Sequence, residues 1–141
     1  MKRKASAVWN GSIKEGKGEF STNSGSLSGV RYTFGTRFEE DPGTNPEELI
    51  GAAHAGCFSM ALSGNLGRAG FSPERISTEA TVTLVKQDDG FAITAVHLDV
   101  TARVPGADDE AFQRIATDSV KGCPVSKVLN AEITMEARLE S

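Results

Sequence analysis

Asn45-Pro46-Glu47-Glu48-Leu49-Ile50-Gly51-Ala52-Ala53-His54-Ala55-Gly56-Cys57-Phe58-Ser59-Met60-Ala61-Leu62 is the stretch on which the reading of the fold turns. It opens as helices open. Asn45 suits the N-cap, Pro46 the first helical position, and Glu48 stands at N3, where it can complete a capping box. Glu47 and Glu48 both favour the positive end of the helix dipole. Gly67 and Gly70 around Arg68, followed by Ser72-Pro73, end it, so the pattern predicts a helix over 46–68. Between these limits the apolar residues leave almost no polar face, which predicts burial all round. Gly51, Ala52, Ala55, Gly56, Ser59, Ser63 and Gly64 are small enough to admit other backbones closely. A chain of 141 residues struggles to surround a helix roughly 34 Å long. Burial against a second copy is the easier solution, and a homodimer is expected.

Around this central helix the chain reads as one domain over 1–141, without repeats, linkers or low-complexity runs. The segment 1–40 is β-rich. Asn10-Gly11 is a hairpin signal, Ser21–Gly29 carries a second turn, and a strand is predicted over Val30–Phe38, closed by Asp41-Pro42-Gly43. Strands are expected over about 76–103, where apolar and polar residues alternate on either side of Asp88-Asp89-Gly90. Helices follow over about 108–130. The first of them has Phe112, Ile115, Ala116 and Val120 as its apolar stripe, and the second opens at Cys123-Pro124. A final strand is expected over about 132–139. This order gives an α+β domain. Trp9 and Phe91 read as core residues, and His97 falls on the polar face of a strand.

The bulk composition excludes several classes of function. With 38% hydrophobic and 24% charged residues the chain is an ordinary soluble protein, and its net charge of −4 offers no reason to expect nucleic acid or anionic membrane as a partner. Ala5-Ser6-Ala7-Val8-Trp9 is too short and polar for a signal peptide, and no run reaches the roughly 18 apolar residues of a membrane span. A cytoplasmic location is expected. Two cysteines matter there, because cytosolic thiols stay reduced unless they have redox or metal work to do.

Cys57 sits mid-helix in an apolar surround, where desolvation raises a thiol pKa and leaves it inert. A reactive Cys57 therefore needs a cation, either His54, three residues earlier, or an arginine from elsewhere. Cys123 stands before a proline at the start of a short helix, where free backbone N–H groups can stabilise a thiolate. Spacing alone does not establish that the two sulfurs, 66 residues apart, meet.

The run from Gly43 to Leu62 resembles the signature helix of the OsmC/Ohr family, the osmotically inducible and organic hydroperoxide resistance proteins. Gly122-Cys123-Pro124-Val125-Ser126 resembles the second cysteine motif of that family, and Thr36-Arg37-Phe38 its arginine segment. Glu48–His54 and Val125–Leu129 look more like the OsmC branch. The resemblance implies an OsmC-like fold: an intertwined α+β homodimer whose long buried central helix packs on antiparallel β-sheet, with active sites at the subunit interface. It also implies Cys57 as the peroxidatic cysteine, Cys123 as the resolving cysteine, Arg37 holding the thiolate, and Glu48 orienting Arg37 through a salt bridge. The implied reaction takes an organic hydroperoxide to an alcohol and is completed by an external dithiol, with no metal or organic cofactor. Glu48 and Cys57 are nine residues apart, about 13.5 Å of rise and half a turn out of phase, so one helix cannot hold both in one site. If Glu48 serves Cys57, it does so from the other chain.

Other readings of these residues stand beside this one. Arg37 and Glu48 also read as a surface pair and an ordinary cap, and His54 as a core or interface residue. His54, Cys57 and Cys123 could hold a metal, although they lack a clear fourth ligand. A dimer that binds an apolar ligand or senses redox state is the other rival. A thiol hydrolase is weaker, because no His/Asn pair can be assigned.

Overall fold

Gly11 takes a left-handed backbone at φ 96°, and the first hairpin turns there. In the computed structural model, which describes residues 1–141, strand β1 (Ala5–Asn10) pairs antiparallel with β2 (Lys17–Thr22), and β2 with β3 (Val30–Tyr32). The Asn-Gly pair marks the hairpin, as expected, but it does not form a two-residue turn. Asn10 stays in the strand opposite Lys17, and no non-glycine residue adopts positive φ, which a type I′ turn demands of both central residues. Six residues, 11–16, make the loop instead. Trp9 is half-buried against Tyr32 at 5.4 Å between ring centroids, and Phe20 stacks on Tyr32 at 3.8 Å. Gly18 lies beneath these rings. A Cβ there would stand 2.4 Å from the Tyr32 ring, so only glycine fits.

The strand expected over Val30–Phe38 ends at Tyr32. Thr33 then caps a five-residue helix, α1 (Phe34–Phe38), through a reciprocal capping box with Thr36. The change matters because Arg37 lies in the last turn of that helix rather than on a strand. Helix α2 (Pro46–Arg68) begins where the sequence predicts. Asn45 Oδ1 accepts the Glu48 N–H at 2.8 Å, and Asn45 Nδ2 donates to the Thr36 carbonyl at 3.0 Å, tying the end of α1 to the start of α2. The Glu48 side chain does not close a capping box. It accepts instead from the Thr44 hydroxyl at 3.0 Å.

The chain divides into two compact units, Met1–Leu49 and Ile50–Ser141. In the second, β4 (Arg75–Gln87) pairs antiparallel with β5 (Gly90–Arg103), with a register shift at Thr83/Leu84. Strand β6 (Glu132–Glu140) joins β5 in parallel, so this sheet is mixed rather than antiparallel throughout. A parallel neighbour requires a crossover, and α3 (Asp109–Gly122) and α4 (Pro124–Val128) provide it. Asp108 caps α3 through the Ala111 N–H at 2.7 Å.

The core of this unit joins Phe58, Leu62 and Leu66 of α2 to Val96, Leu98, Val100 and Ala102 of β5, and to Phe112, Ile115 and Ala116 of α3. Each large apolar side chain buried there contributes on the order of 1.5–3 kcal/mol. Phe91 is not among them and is 54% exposed. His97 is half-buried and hydrogen-bonds Thr134 Oγ1 at 2.7 Å.

Helix α2 is not buried all round within one chain. Gly51, His54, Phe58, Leu62 and Leu66 form the buried stripe, while Ala52, Ala53, Gly56, Met60, Ser63, Gly64 and Gly67 lie exposed on the other side. At 3.6 residues per turn the exposed set spans about 120° of one face. No helix is long and apolar enough to cross a membrane.

Candidate active site

Cys57 and Cys123 meet. Their sulfurs are 3.0 Å apart, both thiols are free, and Cys123 is fully buried while Cys57 is partly exposed. The fold achieves this by helix phase. Cys57 borders the buried stripe of α2, one residue before fully buried Phe58, and Cys123 stands at the junction where α3 ends and α4 begins. The Cys123 N–H closes α3 on the Ser119 carbonyl at 3.1 Å. A disulfide requires that separation to close by about 1 Å, to about 2.05 Å.

The two thiols are shifted in opposite directions. Burial and the hydrogen bond with Cys123 push the Cys57 thiol up, against a smaller lowering by the Val125 backbone. Burial acts to raise Cys123 too, but hydrogen bonds from Cys57, from the backbone and hydroxyl of Ser126, and from the Val125 backbone bring it below its ordinary value. Cys123 is thus the more acidic thiol of this reduced pair.

His54 is fully buried, and its Nε2 lies 2.7 Å from Ser126 Oγ. Burial lowers its pKa, so the ring is neutral at pH 7 and cannot be the cation that Cys57 requires. That sequence-based candidate is excluded by desolvation. No group of three His, Cys, Asp or Glu side chains converges to hold a metal, so the His/Cys metal reading has no geometric basis here. A stability test follows from the buried neutral ring. As pH falls below about 6.5 the unfolded chain takes up the His54 proton first. Stability present above that value is therefore lost below it, by at most about 1.4 kcal/mol per pH unit until the folded pKa is passed. Urea unfolding between about pH 7.5 and pH 5 should show a flatter profile for His54→Gln than for the wild type. Parallel profiles would contradict a buried neutral imidazole.

Arg37 and Glu48 are not partners. Arg37 pairs with Glu47, its Nη2 at 2.8 Å and Nε at 3.2 Å from Oε1, with a second Nε contact to Oε2 at 3.3 Å. The Glu47 carboxylate is only 10% exposed, against 37% for the Arg37 side chain. The expected pair fails by one residue. Glu47 lies seven residues before His54 and eleven before Phe58, on the buried stripe, whereas Glu48 is rotated a further 100° toward Thr44 and solvent. That spacing favours Glu47 only slightly, since Glu48 stands five full turns before buried Leu66. The pair uses Nε and Nη2 of the guanidinium and leaves the Nη1 end of the fork for an anion. Arg37 also stacks on Phe38 at 5.2 Å. Arg37 lines a cavity of about 320 Å³ together with Trp9, Ile13, Tyr32, Thr33, Phe34 and Phe38.

With this geometry in view, comparison with known proteins decides the family. The OsmC-like protein family matches residues 39–138. The chain belongs to the OsmC-like family. It is 56% identical over 139 residues to the peroxiredoxin OsmC of Escherichia coli K12, covering 99% of this chain and 97% of that one. The same fold occurs in an OsmC-like protein of unknown function from Vibrio cholerae, at a TM-score of 0.78 and 16% identity, covering 97% of this chain and 99% of that one. It occurs again in an organic hydroperoxide resistance protein of Bacillus subtilis, at a TM-score of 0.68 and 22% identity, covering 97% and 98%. An OsmC-like chain with two thiols in contact, one reachable and one sealed, is equipped for peroxide chemistry at sulfur.

Proposed function

We propose that this OsmC-like chain is a thiol-dependent peroxidase that reduces organic hydroperoxides through Cys57 and a Cys57–Cys123 disulfide. The observation that carries the reading is the 3.0 Å contact between a partly exposed and a fully buried thiol. Exposure decides which sulfur meets the peroxide. The Cys57 thiolate attacks the terminal peroxide oxygen, the O–O bond breaks, the alcohol leaves, and a sulfenic acid remains. Cys123 then condenses with that sulfenic acid, water leaves, and an external dithiol returns the disulfide to two thiols. No metal or organic cofactor enters the cycle.

Arg37, its guanidinium held by Glu47, is our candidate for the cation that Cys57 requires, whether from the same chain or from a second copy. The aromatic cavity beside Arg37 favours an alkyl or aryl hydroperoxide over hydrogen peroxide, because it offers an apolar tail somewhere to go. Two copies associate through the small-residue face of α2, where Ala53, Gly56, Met60 and Gly64 lie exposed. The 56% identity to a peroxiredoxin supports the same class of reaction.

The test is to oxidise the reduced full-length protein with one equivalent of cumene hydroperoxide and map its cysteines by mass spectrometry. Loss of both free thiols in one intramolecular disulfide is the expected result. Oxidation that stops at one thiol, or links two chains, would contradict the two-cysteine cycle.

A further inference from the structure

We infer that His54 and Ser126 form a hydroxyl relay that positions Cys123 for the resolving step. The inference rests on the peroxidase reading above and adds two residues to it. His54 Nε2 and Ser126 Oγ are 2.7 Å apart, across 72 residues of sequence, and join the middle of α2 to α4. The other ring nitrogen, Nδ1, is buried without a hydrogen-bond partner. This asymmetry selects the tautomer. Were the proton on Nδ1, a donor would be stranded in the core. With the proton on Nε2, the ring donates to Ser126 and leaves only a bare lone pair at Nδ1, the cheaper arrangement. Cys123 is the N-cap of α4 and Ser126 its N3 residue, so the Ser126 hydroxyl, with His54 donating to it, can turn its own proton toward the Cys123 sulfur. The chain of donors then runs from His54 to Ser126 to Cys123, whose sulfur is 3.0 Å from Cys57.

Such a chain matters in one half of the reaction. In resolution the Cys123 sulfur attacks the sulfenic sulfur of Cys57. The new S–S bond forms as the S–O bond breaks. The proton from the Cys123 thiol and the departing hydroxide leave together as water. Cys57 sulfur is reduced and Cys123 sulfur oxidised by the same electron pair, so no further oxidant is needed. A hydroxyl donor on Cys123 favours the attacking thiolate and fixes its direction, and a neutral buried imidazole fixes that hydroxyl. Both residues act through Cys123 and are positioning residues. Their buried contact also explains why a fully buried polar ring is held in a core otherwise lined by Phe58 and Leu62.

Rapid mixing of reduced full-length protein with cumene hydroperoxide separates the two steps. Peroxide consumption reports attack by Cys57. Paired thiol loss reports the disulfide, and dimedone labelling reports the sulfenic acid between them. In Ser126→Ala and in His54→Leu the ratio of disulfide formation to peroxide consumption is expected to fall about tenfold, with dimedone adduct accumulating on Cys57. Ser126→Thr restores the hydroxyl, and His54→Gln places an N–H near the position of Nε2. Both should recover most of the ratio, which a merely structural role would not predict. An unchanged ratio in Ser126→Ala and His54→Leu overturns the relay, as does a parallel slowing of both steps. A wild type that forms no disulfide overturns the peroxidase reading and the relay with it. A wild type that forms one, with variants equally fast, overturns the relay alone.

Discussion

Replacing Cys57 by serine is expected to slow consumption of cumene hydroperoxide by on the order of a thousandfold or more, since it removes the nucleophile itself. Cys123→Ser is expected to behave differently. Each chain still consumes one peroxide, the Cys57 sulfenic acid persists, and excess peroxide drives it on to the sulfinic acid. Stopped-flow mixing with thiol counting and intact mass measurement distinguishes the two variants. The prediction is not a restatement of acidity, because acidity points the other way. Cys123 has the lowered pKa and Cys57 the raised one. If acidity chose the attacking sulfur, Cys57→Ser would retain the first oxidation and Cys123→Ser would lose it. Access outweighs acidity, since Cys123 is fully buried and a thiolate that no peroxide can reach does not react with one. The lowered pKa of Cys123 suits the second step, in which its thiolate attacks a sulfur already 3.0 Å away.

Legibility in the sequence followed the range of the forces involved. The start of α2 was readable because a cap is local: Asn45, Pro46 and the acids after them fix it within one turn. The alternation of β4 and β5 was readable for the same reason, since neighbouring residues declare their faces. Features set at longer range were not. The parallel register of β6 depends on a crossover through α3 and α4, and no residue of β6 states which neighbour it takes. Helix α1 is five residues long and held by one Thr33–Thr36 box, too little to override the β-branched and aromatic run before it. The contact between Cys57 and Cys123 spans 66 residues and came only through family resemblance until the sulfurs were placed. The choice between Glu47 and Glu48 lay between these cases. Both fit a first turn and both fall within the phase of the buried stripe, Glu48 in line with Leu66, so the separation comes from contacts beyond the helix: Arg37 on Glu47 and the Thr44 hydroxyl on Glu48.

That separation leads to the second large effect. Within one chain burial raises the Cys57 thiol and no cation acts against it, so without a cation brought to it little of it is thiolate at pH 7. A guanidinium brought beside the thiol lowers such a pKa by about one to three units, so on the proposed role of Arg37 the Arg37→Met variant is expected to lose about a hundredfold in second-order rate with cumene hydroperoxide at pH 7. The deficit should shrink as pH rises, because the variant gains thiolate about tenfold per unit until its raised pKa is passed, while a wild-type thiol lowered by Arg37 levels off at lower pH. Glu47→Gln keeps the shape of the carboxylate but loses the charge-assisted fork, and about a tenfold loss is expected. Glu48→Gln should stay within about twofold of wild type, since its carboxylate meets only the Thr44 hydroxyl among these groups and exposed contacts of that kind contribute little. Rates measured from about pH 6 to pH 10 in all four proteins decide the matter. A large loss in Glu48→Gln with Glu47→Gln near wild type would mean that the Arg37–Glu47 pair is structural, and that Glu48 serves Cys57 from a second copy of the chain. A pH-independent deficit in Arg37→Met would mean that the guanidinium acts on the peroxide oxygens rather than on the ionisation of Cys57, since only ionisation can be recovered by raising the pH.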